Sequence, residues 1–514
     1  MKNDKKKAIE YIIAQIKKGR TEIDKIKREA AEKYKVEMIK NSEVLKVAKE
    51  KNLSKDKLDM LLKKPVRTRS GITTIAVMIK PEASCIHGCI YCPYTGKAAK
   101  SYTGEEPAAL RSRNAGFDPV KQVKSRLKQY KETGHPTDKC EVIVMGGTFL
   151  ETDEKYKQKF IKKIYDTLNG KAAKTIEAAK KLNERAKHRV VGLTIETRPD
   201  VCGEKQVDEM LGYGATRVEL GVQHPDNNIY KIINRGHGIT EVVKATSLLK
   251  DSTFKVLYHI MPGLPESDKN LDIEMAKKLF HEERFKPDML KIYPTLTIKG
   301  TKLYKMMKKG KYTPYTAEEA ADIIAEMFRY IPKYCRVMRI QRDIPANLID
   351  AGVKKSNLRE LVEEKMKNKK IKPLEIRSRE IGLQEHRKED FEIRRLNYYA
   401  SGGRESFISY ENDEVIAGFV RLRFPGTSTY RDEITRKTGL IRELHVYGRE
   451  EKLGSKGEVQ HTGIGKQLLA EAENVARKEG MEKMIILSGT GVRPYYRKLG
   501  YKLEGPYVSK KLGV

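Results

Sequence analysis

The sequence predicts an α/β protein: an incomplete parallel (β/α) barrel, a smaller C-terminal mixed α/β domain, and a basic helical segment in front of both. Three observations predict it. Between residues 71 and 335 strand-like runs alternate with helical stretches, the pattern of a parallel sheet with helical crossovers. From about residue 389 short strand-like runs surround one strong amphipathic helix, 463–479. Before residue 71 the apolar residues keep helical spacing, with Ile9, Ile12, Ile13 and Ile16 on one face.

Residues 1–70 hold 22 Lys and Arg against 11 Asp and Glu, a net +11 out of +34 for the 514-residue chain. Such a surplus favours a polyanionic partner, because neutralised phosphates release counterions. A Lys/Glu-rich solvated surface explains many of the charges but not the excess, so the segment reads as a nucleic-acid-binding module. Strands are expected at "ITTIAVMI" (72–79), "CEVIVMGG" (140–147), "RVVGLTIET" (189–197), "ATRVELGVQ" (215–223), "FKVLYHIMPG" (254–263) and "DMLKIYPT" (288–295). An open doubly wound sheet is the competing arrangement; in either, chemistry belongs at the carboxyl ends of the strands. Residues 336–388 read as a basic connector and 389–514 as the second domain. The N-terminal "MKNDKKKAIEYIIAQ" has no apolar stretch long enough for a signal peptide, and no run of about 18 apolar residues exists to span a membrane. A cytoplasmic location without structural disulfides is expected.

Three of the six cysteines crowd into "CIHGCIYC" (85–92). Disulfide, zinc, catalytic thiol and iron–sulfur cluster all begin open. Zinc favours four ligands in paired spacing, no second CxxC follows, and His87 sits awkwardly inside the tight loop. Three thiolates would leave one iron of a [4Fe–4S] cluster open to the amino and carboxylate groups of S-adenosylmethionine (SAM). CxxxCxxC after the first barrel strand, with Tyr91 before the third cysteine and "MGGTF" after the second strand, resembles the radical SAM superfamily. That resemblance implies a partial barrel of radical SAM type, a [4Fe–4S] cluster on Cys85, Cys89 and Cys92, and bound SAM. Gly146 and Gly147 match the glycine pair that receives the SAM amino group. "LGVQ", ending at Gln223, and "MPGLP" (261–265) resemble further SAM-side segments. Cys140, Cys202 and Cys335 are scattered and read as structural.

"QHTGIGKQLLAEAENVARKEG" (460–480) carries QxxGxG at the start of a helix, where close backbone approach and free N–H groups suit a pyrophosphate. With "KMIILSGT" and "GVRPYYRKLGYKLEGPY" following in order, it resembles the acetyl-CoA-dependent N-acetyltransferases. The resemblance implies that Gln460, His461, Thr462, Gly463, Ile464, Gly465 and Lys466 wrap the CoA pyrophosphate, and that Glu443, Leu444, His445 and Val446 line the cofactor. Of Tyr495 and Tyr496, one phenol belongs near the thioester sulfur, and Tyr496 is the choice.

The two motifs on one chain resemble a single family, the catalytic subunit of the Elongator complex, in its single-chain archaeal form. "SYTGEEPAALRSRNAGFDP" (101–119), "NRGHG" (234–238) and "LKIYPTLTIKGTKLY" (290–304) share the likeness. The family implies tRNA wobble-uridine modification, a carboxymethyl group being added at uridine C5 from acetyl-CoA by a SAM-derived radical. It implies the tRNA anticodon loop as partner and an electron donor; other Elongator-type subunits are compatible with the sequence but not required by it. Strand alternation puts Glu196 with Arg198, Glu219 with Gln223, and Lys291 with Tyr293. Lys291 either contacts acetyl-CoA or substrate, or forms a buried ion pair with Glu196 or Glu219. "LEIRSREIG" (374–382) has Glu375 and Ser378 where some members carry cysteines resembling zinc ligands, so no zinc site is expected there. Because a useful radical must be shielded from water, the two domains are expected to pack with the strand ends of the barrel toward the CoA site. The rival readings are a protein lysine acetyltransferase with a structural barrel, using Glu443 as base, and a non-catalytic RNA-binding scaffold.

Overall fold

A computed structural model describes residues 2–62, 71–83, 85–383, 390–426, 429–447 and 463–513. Its first sheet has seven parallel strands in sequential order: β1 (Thr73–Met78), β2 (Lys139–Met145), β3 (Arg189–Thr197), β4 (Arg217–Gln223), β5 (Lys255–Ile260), β6 (Met289–Ile292) and β7 (Arg336–Arg339). β1 and β7 do not pair with each other, so the barrel is open, as expected. The competing doubly wound order would reverse the strand sequence part-way across the sheet. The seventh strand is a correction: it lies in the segment read as connector.

Side chains close both open edges, which would otherwise offer unpaired backbone to another strand. At β1, Gln122 accepts from the Met78 N–H (2.9 Å) and donates to its carbonyl (3.0 Å). At β7, Glu375 accepts from the Val337 N–H (2.8 Å) and Arg359 donates to the Val337 carbonyl (3.0 Å). Glu375 also caps the short helix Ile376–Arg379 through the Ser378 N–H (2.9 Å). A carboxylate thus fastens the position where some family members carry cysteines.

The second sheet runs β13-β14-β12-β11-β10-β9-β8: β8 (Glu392–Ala400), β9 (Gly403–Glu411), β10 (Ile416–Phe424), β11 (Thr438–Val446), β12 (Lys483–Ile486), β13 (Lys502–Glu504) and β14 (Tyr507–Lys511). Only β11 and β12 pair in parallel. The helix Ile464–Lys478 packs Leu468, Leu469, Ala472 and Ala476 into a core of its own with Val420, Leu422 and Ile441.

The N-terminal helices Lys2–Lys17, Ile23–Lys33 and Asn41–Glu50 enclose a third core. Ile9, Ile12, Ile13 and Ile16 line it together with Ile26, Ala30, Val44 and Ala48, as their spacing predicts. Most of the lysines are left on the outside; Lys27 is buried and donates to Asn41 at 2.8 Å.

The two larger domains meet at the amino-terminal ends of the barrel strands. Asp288, just before β6, accepts from both terminal guanidinium nitrogens of Arg442 from β11 at 2.6 and 2.7 Å. Asp251, ahead of β5, pairs with Arg423 of β10 at 2.6 Å. A Cβ on Gly489 would collide with the carbonyl oxygen of Val191 in β3, so only glycine allows that approach. The expectation that the domains would meet through the carboxyl ends, where barrel chemistry belongs, is therefore corrected: the buried charges that decide the docking precede the strands.

Candidate active site

Cys85, Cys89 and Cys92 occupy a loop beyond the carboxyl end of β1. Cys89 is buried, and two guanidinium groups face its sulfur: Arg235 Nη1 at 3.5 Å and Arg198 Nη1 at 3.8 Å. Asp200 holds Arg198 in place through two bonds of 2.9 and 2.8 Å. Burial alone would raise the Cys89 thiol, but Arg235 and then Arg198 outweigh it and hold it below the ordinary range. Cys92 is pushed up to about 11 by burial and by the neighbouring Cys89. Neighbouring thiolates repel each other unless a cation lies between them.

Gly146 and Gly147 follow β2 with φ of +125° and +63°. A Cβ on Gly147 would stand 3.0 Å from the Cys85 nitrogen, so its bare backbone packs against the cysteine loop, while a Cβ on Gly146 would meet Ile79 and Ala99. Gln223 ends β4 in a left-handed conformation, φ +67°. His87 bonds Glu151 at 3.2 Å. Cys140, Cys202 and Cys335 are buried apart from this site, and burial raises all three thiols.

The concave face of the barrel carries a chain of charges, as alternation requires. Glu219 Oε2 accepts from Lys291 Nζ and from His259 Nε2, the latter at 2.7 Å. Lys291 Nζ also lies 3.9 Å from Glu196, which accepts from the Tyr102 hydroxyl at 2.8 Å. Arg217 joins Glu219 (3.6 Å) to Glu141 (2.6 Å). Lys291 is thus ion-paired, and burial, which would lower it, is overcome by Glu219, so it stays charged. Sequence reasoning missed His259. Its only signal was its place two and four residues beyond Leu257 and Lys255 on one strand face.

In the second domain, β12 stops pairing with β11 at Ile441–Ile486, while β11 continues to Val446. The resulting gap opens beside Gly463, φ +96°, at the start of the helix Ile464–Lys478. A Cβ on Gly465 would stand 3.3 Å from the Tyr495 hydroxyl and 3.6 Å from Val446 Cγ2, so the structure brings Gly465, Val446 and Tyr495 together. Tyr496, the phenol chosen from the sequence, packs its ring into the core, 6.0 Å from the ring of Tyr501. Adjacent residues on a helix point about 100° apart, so one tyrosine faces out while the other faces in.

Ile464 is buried at the first helical turn and Lys466 faces outward from it. Leu444 and His445 are half-buried on β11, with the His445 ring tilted against Tyr447, 4.4 Å between centroids. Gln460, His461 and Thr462 lie outside the described residues. Glu443 bonds Arg421 at 2.9 Å and approaches Lys255 at 4.0 Å. Burial would raise it, but these cations hold it below its ordinary value. A carboxylate so committed makes a poor base for lysine acetylation.

The chain matches the radical SAM superfamily over residues 79–276, the radical SAM C-terminal domain over 287–368 and the acetyltransferase (GNAT) family over 370–501. It is 46% identical to the tRNA uridine(34) acetyltransferase of Methanocaldococcus infernus, over 98% of each chain. The chain belongs to the Elongator complex protein 3 family. The human Elongator complex protein 3 is 40% identical over 96% of this chain and 93% of the human protein. A solved structure of M. infernus Elp3 lacking residues 1–46 superposes with a TM-score of 0.77, at 44% identity, over 86% of this chain and 99% of that one.

Family membership calls for a [4Fe–4S] cluster, SAM and acetyl-CoA, and the residues present fit them. Three thiols in one loop, one of them biased toward thiolate by two arginines, form the donor set for a cluster with an open iron. The bare backbone of Gly147 lies directly against that loop, presenting peptide groups there rather than a side chain. The gap between β11 and β12, facing a helix N-terminus, suits a CoA pyrophosphate and its extended arm.

Proposed function

We propose that the chain modifies the wobble uridine of tRNA, adding a two-carbon unit from acetyl-CoA to C5 as a carboxymethyl group. One observation carries the reading: charged and polar side chains line the barrel face between the cysteine loop and the strand that meets the CoA domain. Arg198 stands beside Cys89, a linked group of Glu196, Lys291, Glu219 and His259 lines the middle of the face, and Lys255, on the His259 side of β5, approaches Glu443 on the CoA strand. The relatives named tRNA uridine(34) acetyltransferase supply the substrate. In this proposal Cys85, Cys89 and Cys92 hold the cluster, Gly146, Gly147 and Gln223 flank SAM, and Gly463, Gly465, Val446 and Tyr495 border the CoA arm. The cluster and SAM, when bound, supply a hydrogen-abstracting radical. The protein's own part is to hold the acyl chain and an unstacked base in one polar cleft.

The anticodon loop, an electron donor and a cytoplasmic setting belong to the same proposal. Six free cysteines support it, and among the described residues no helix is long and apolar enough to cross a membrane. Protein incubated anaerobically with tRNA, SAM, acetyl-CoA and reductant should yield 5-carboxymethyluridine on mass spectrometry of the digested tRNA. Acetyl-lysine formation with the uridine untouched would sink the reading.

The basic N-terminal helices are proposed to hold the tRNA backbone. Removing residues 1–70 should weaken tRNA binding at least about tenfold at low salt, with the slope of log K against log salt shallower by about 0.9 for each phosphate no longer neutralised. Acetyl-CoA binding should persist. An unchanged affinity and slope would make these lysines mere solvated surface.

A further inference from the structure

We propose that His259, held by Glu219, is the general base that hydrolyses the acyl thioester, releasing the carboxylate from CoA. This deepens the wobble-uridine reading and rests on it.

The pair is built as a base should be. Glu219 has no exposed side-chain surface, and its Oε2 lies 2.7 Å from His259 Nε2. Burial would neutralise that carboxyl, but Lys291, His259 and Arg217 overcome it and hold the group well below the carboxylate range. An ionised carboxylate only accepts hydrogen bonds, so whenever the imidazole is neutral its proton sits on Nε2 and Nδ1 carries the lone pair. The His259 side chain is 17% exposed. The ring of Tyr293 meets it edge-on at 5.4 Å and fixes its plane. A carboxylate fixing the tautomer of an imidazole and steadying the charge it gains is the division of labour in hydrolytic dyads and triads. Lys291, on the same Glu219 oxygen, puts a cation beside the place where an oxyanion would develop.

The location also fits. Lys255, Leu257 and His259 share one face of β5, and Lys255 approaches Glu443 on the CoA strand at 4.0 Å. Four residues of strand separate the imidazole from that contact, about 13 Å at roughly 3.3 Å per residue. An extended pantetheine arm can cover such a distance. The other candidates are spent or hidden: Glu443 is ion-paired, and His224 is only 2% exposed.

In the step, Nδ1 takes a proton from water as the water oxygen bonds to the acyl carbon. The carbon–sulfur bond breaks, and the imidazolium returns the proton to the departing sulfur. The products are a carboxylic acid, which ionises, and a free thiol; no oxidant or reductant is consumed.

His259→Gln retains a donor toward Glu219 and removes the base. With tRNA present, its acetyl-CoA hydrolysis should fall at least about 100-fold, while acetyl-CoA binding by calorimetry persists. In the complete reaction its tRNA should carry a uridine still joined to CoA through the thioester, visible by mass spectrometry. His259→Ala should show the same loss and regain hydrolysis when free imidazole is added, a rescue that a structural role would not give. Hydrolysis by His259→Gln within about threefold of the native rate, or a folded His259→Ala that imidazole does not rescue, overturns the assignment. If the Ala variant does not fold, the Gln result decides alone. A native chain that neither hydrolyses acetyl-CoA nor modifies uridine overturns the broader reading as well.

Discussion

Replacing Cys89 with alanine should reduce SAM cleavage to background while acetyl-CoA binds as before. Cys89 is the buried member of the three-cysteine loop, and Arg235 and Arg198 both aim a nitrogen at its sulfur. The substitution removes one cluster ligand and leaves those two guanidinium groups without the anion they face. Iron in the anaerobically reconstituted protein should drop from about four per chain, the content of a [4Fe–4S] cluster, to a small fraction of that. The CoA region, where Gly465 meets Tyr495 and Val446, shares no residue with this loop, so acetyl-CoA affinity measured by calorimetry should stay within error. Stoichiometric zinc in the native protein, with SAM cleavage intact, would contradict the assignment of the loop.

What the sequence reveals and hides follows the range of the forces involved. β1 to β6 were legible because each is a short apolar run set between helices, and β-pairing here joins consecutive strands. β7 was not: "RVMR" is four residues with an arginine at each end and reads as basic connector. It becomes a strand because β6 pairs with it and because Glu375 and Arg359 satisfy the backbone of Val337. The cysteine loop and the glycine turns were legible because their spacing is local. The inward face of Tyr496 was not, since a five-residue helix has too little periodicity to say which side is buried. The Lys291–Glu219 contact could be named only as an alternative, because alternation places residues on a face but does not choose their partners across strands. The docking of the two domains had no local signal at all: Asp288 and Arg442 are 154 residues apart.

That docking carries the second large effect. Asp288→Asn should destabilise the protein by about 3–5 kcal/mol, the usual cost of removing one partner from a buried ion pair. Asp288 binds Arg442 through both oxygens, and Lys250 and Arg421 each stand 3.8 Å away, all with no exposed side-chain surface. The amide would leave three buried cations sharing the remaining anions Glu405 and Glu443. Breaking the exposed pair Lys437–Glu482, whose side chains are 65% and 56% accessible, should cost under about 1 kcal/mol and serves as the control. Burial alone would raise the Asp288 carboxyl, but Arg442, Lys250 and Arg421 pull it below its ordinary value of 3.8. A folded-state value below the unfolded one means the contribution is full above about pH 4 and is lost as the pH falls further. The gap between native and Asp288→Asn proteins, read from the first transition in urea, should therefore be widest near neutrality and narrow under acid. A gap no larger than that of the surface control would mean that the interface owes its stability to packing. With the charge network intact, β10 and β11 are tied to the foot of the barrel, which holds Glu443 against Lys255 and keeps the CoA strand beside the polar barrel face. The Asn variant should accordingly keep its acetyl-CoA affinity but hydrolyse acetyl-CoA more slowly than the native protein when tRNA is present, because the cofactor region would survive while its alignment with the barrel would not.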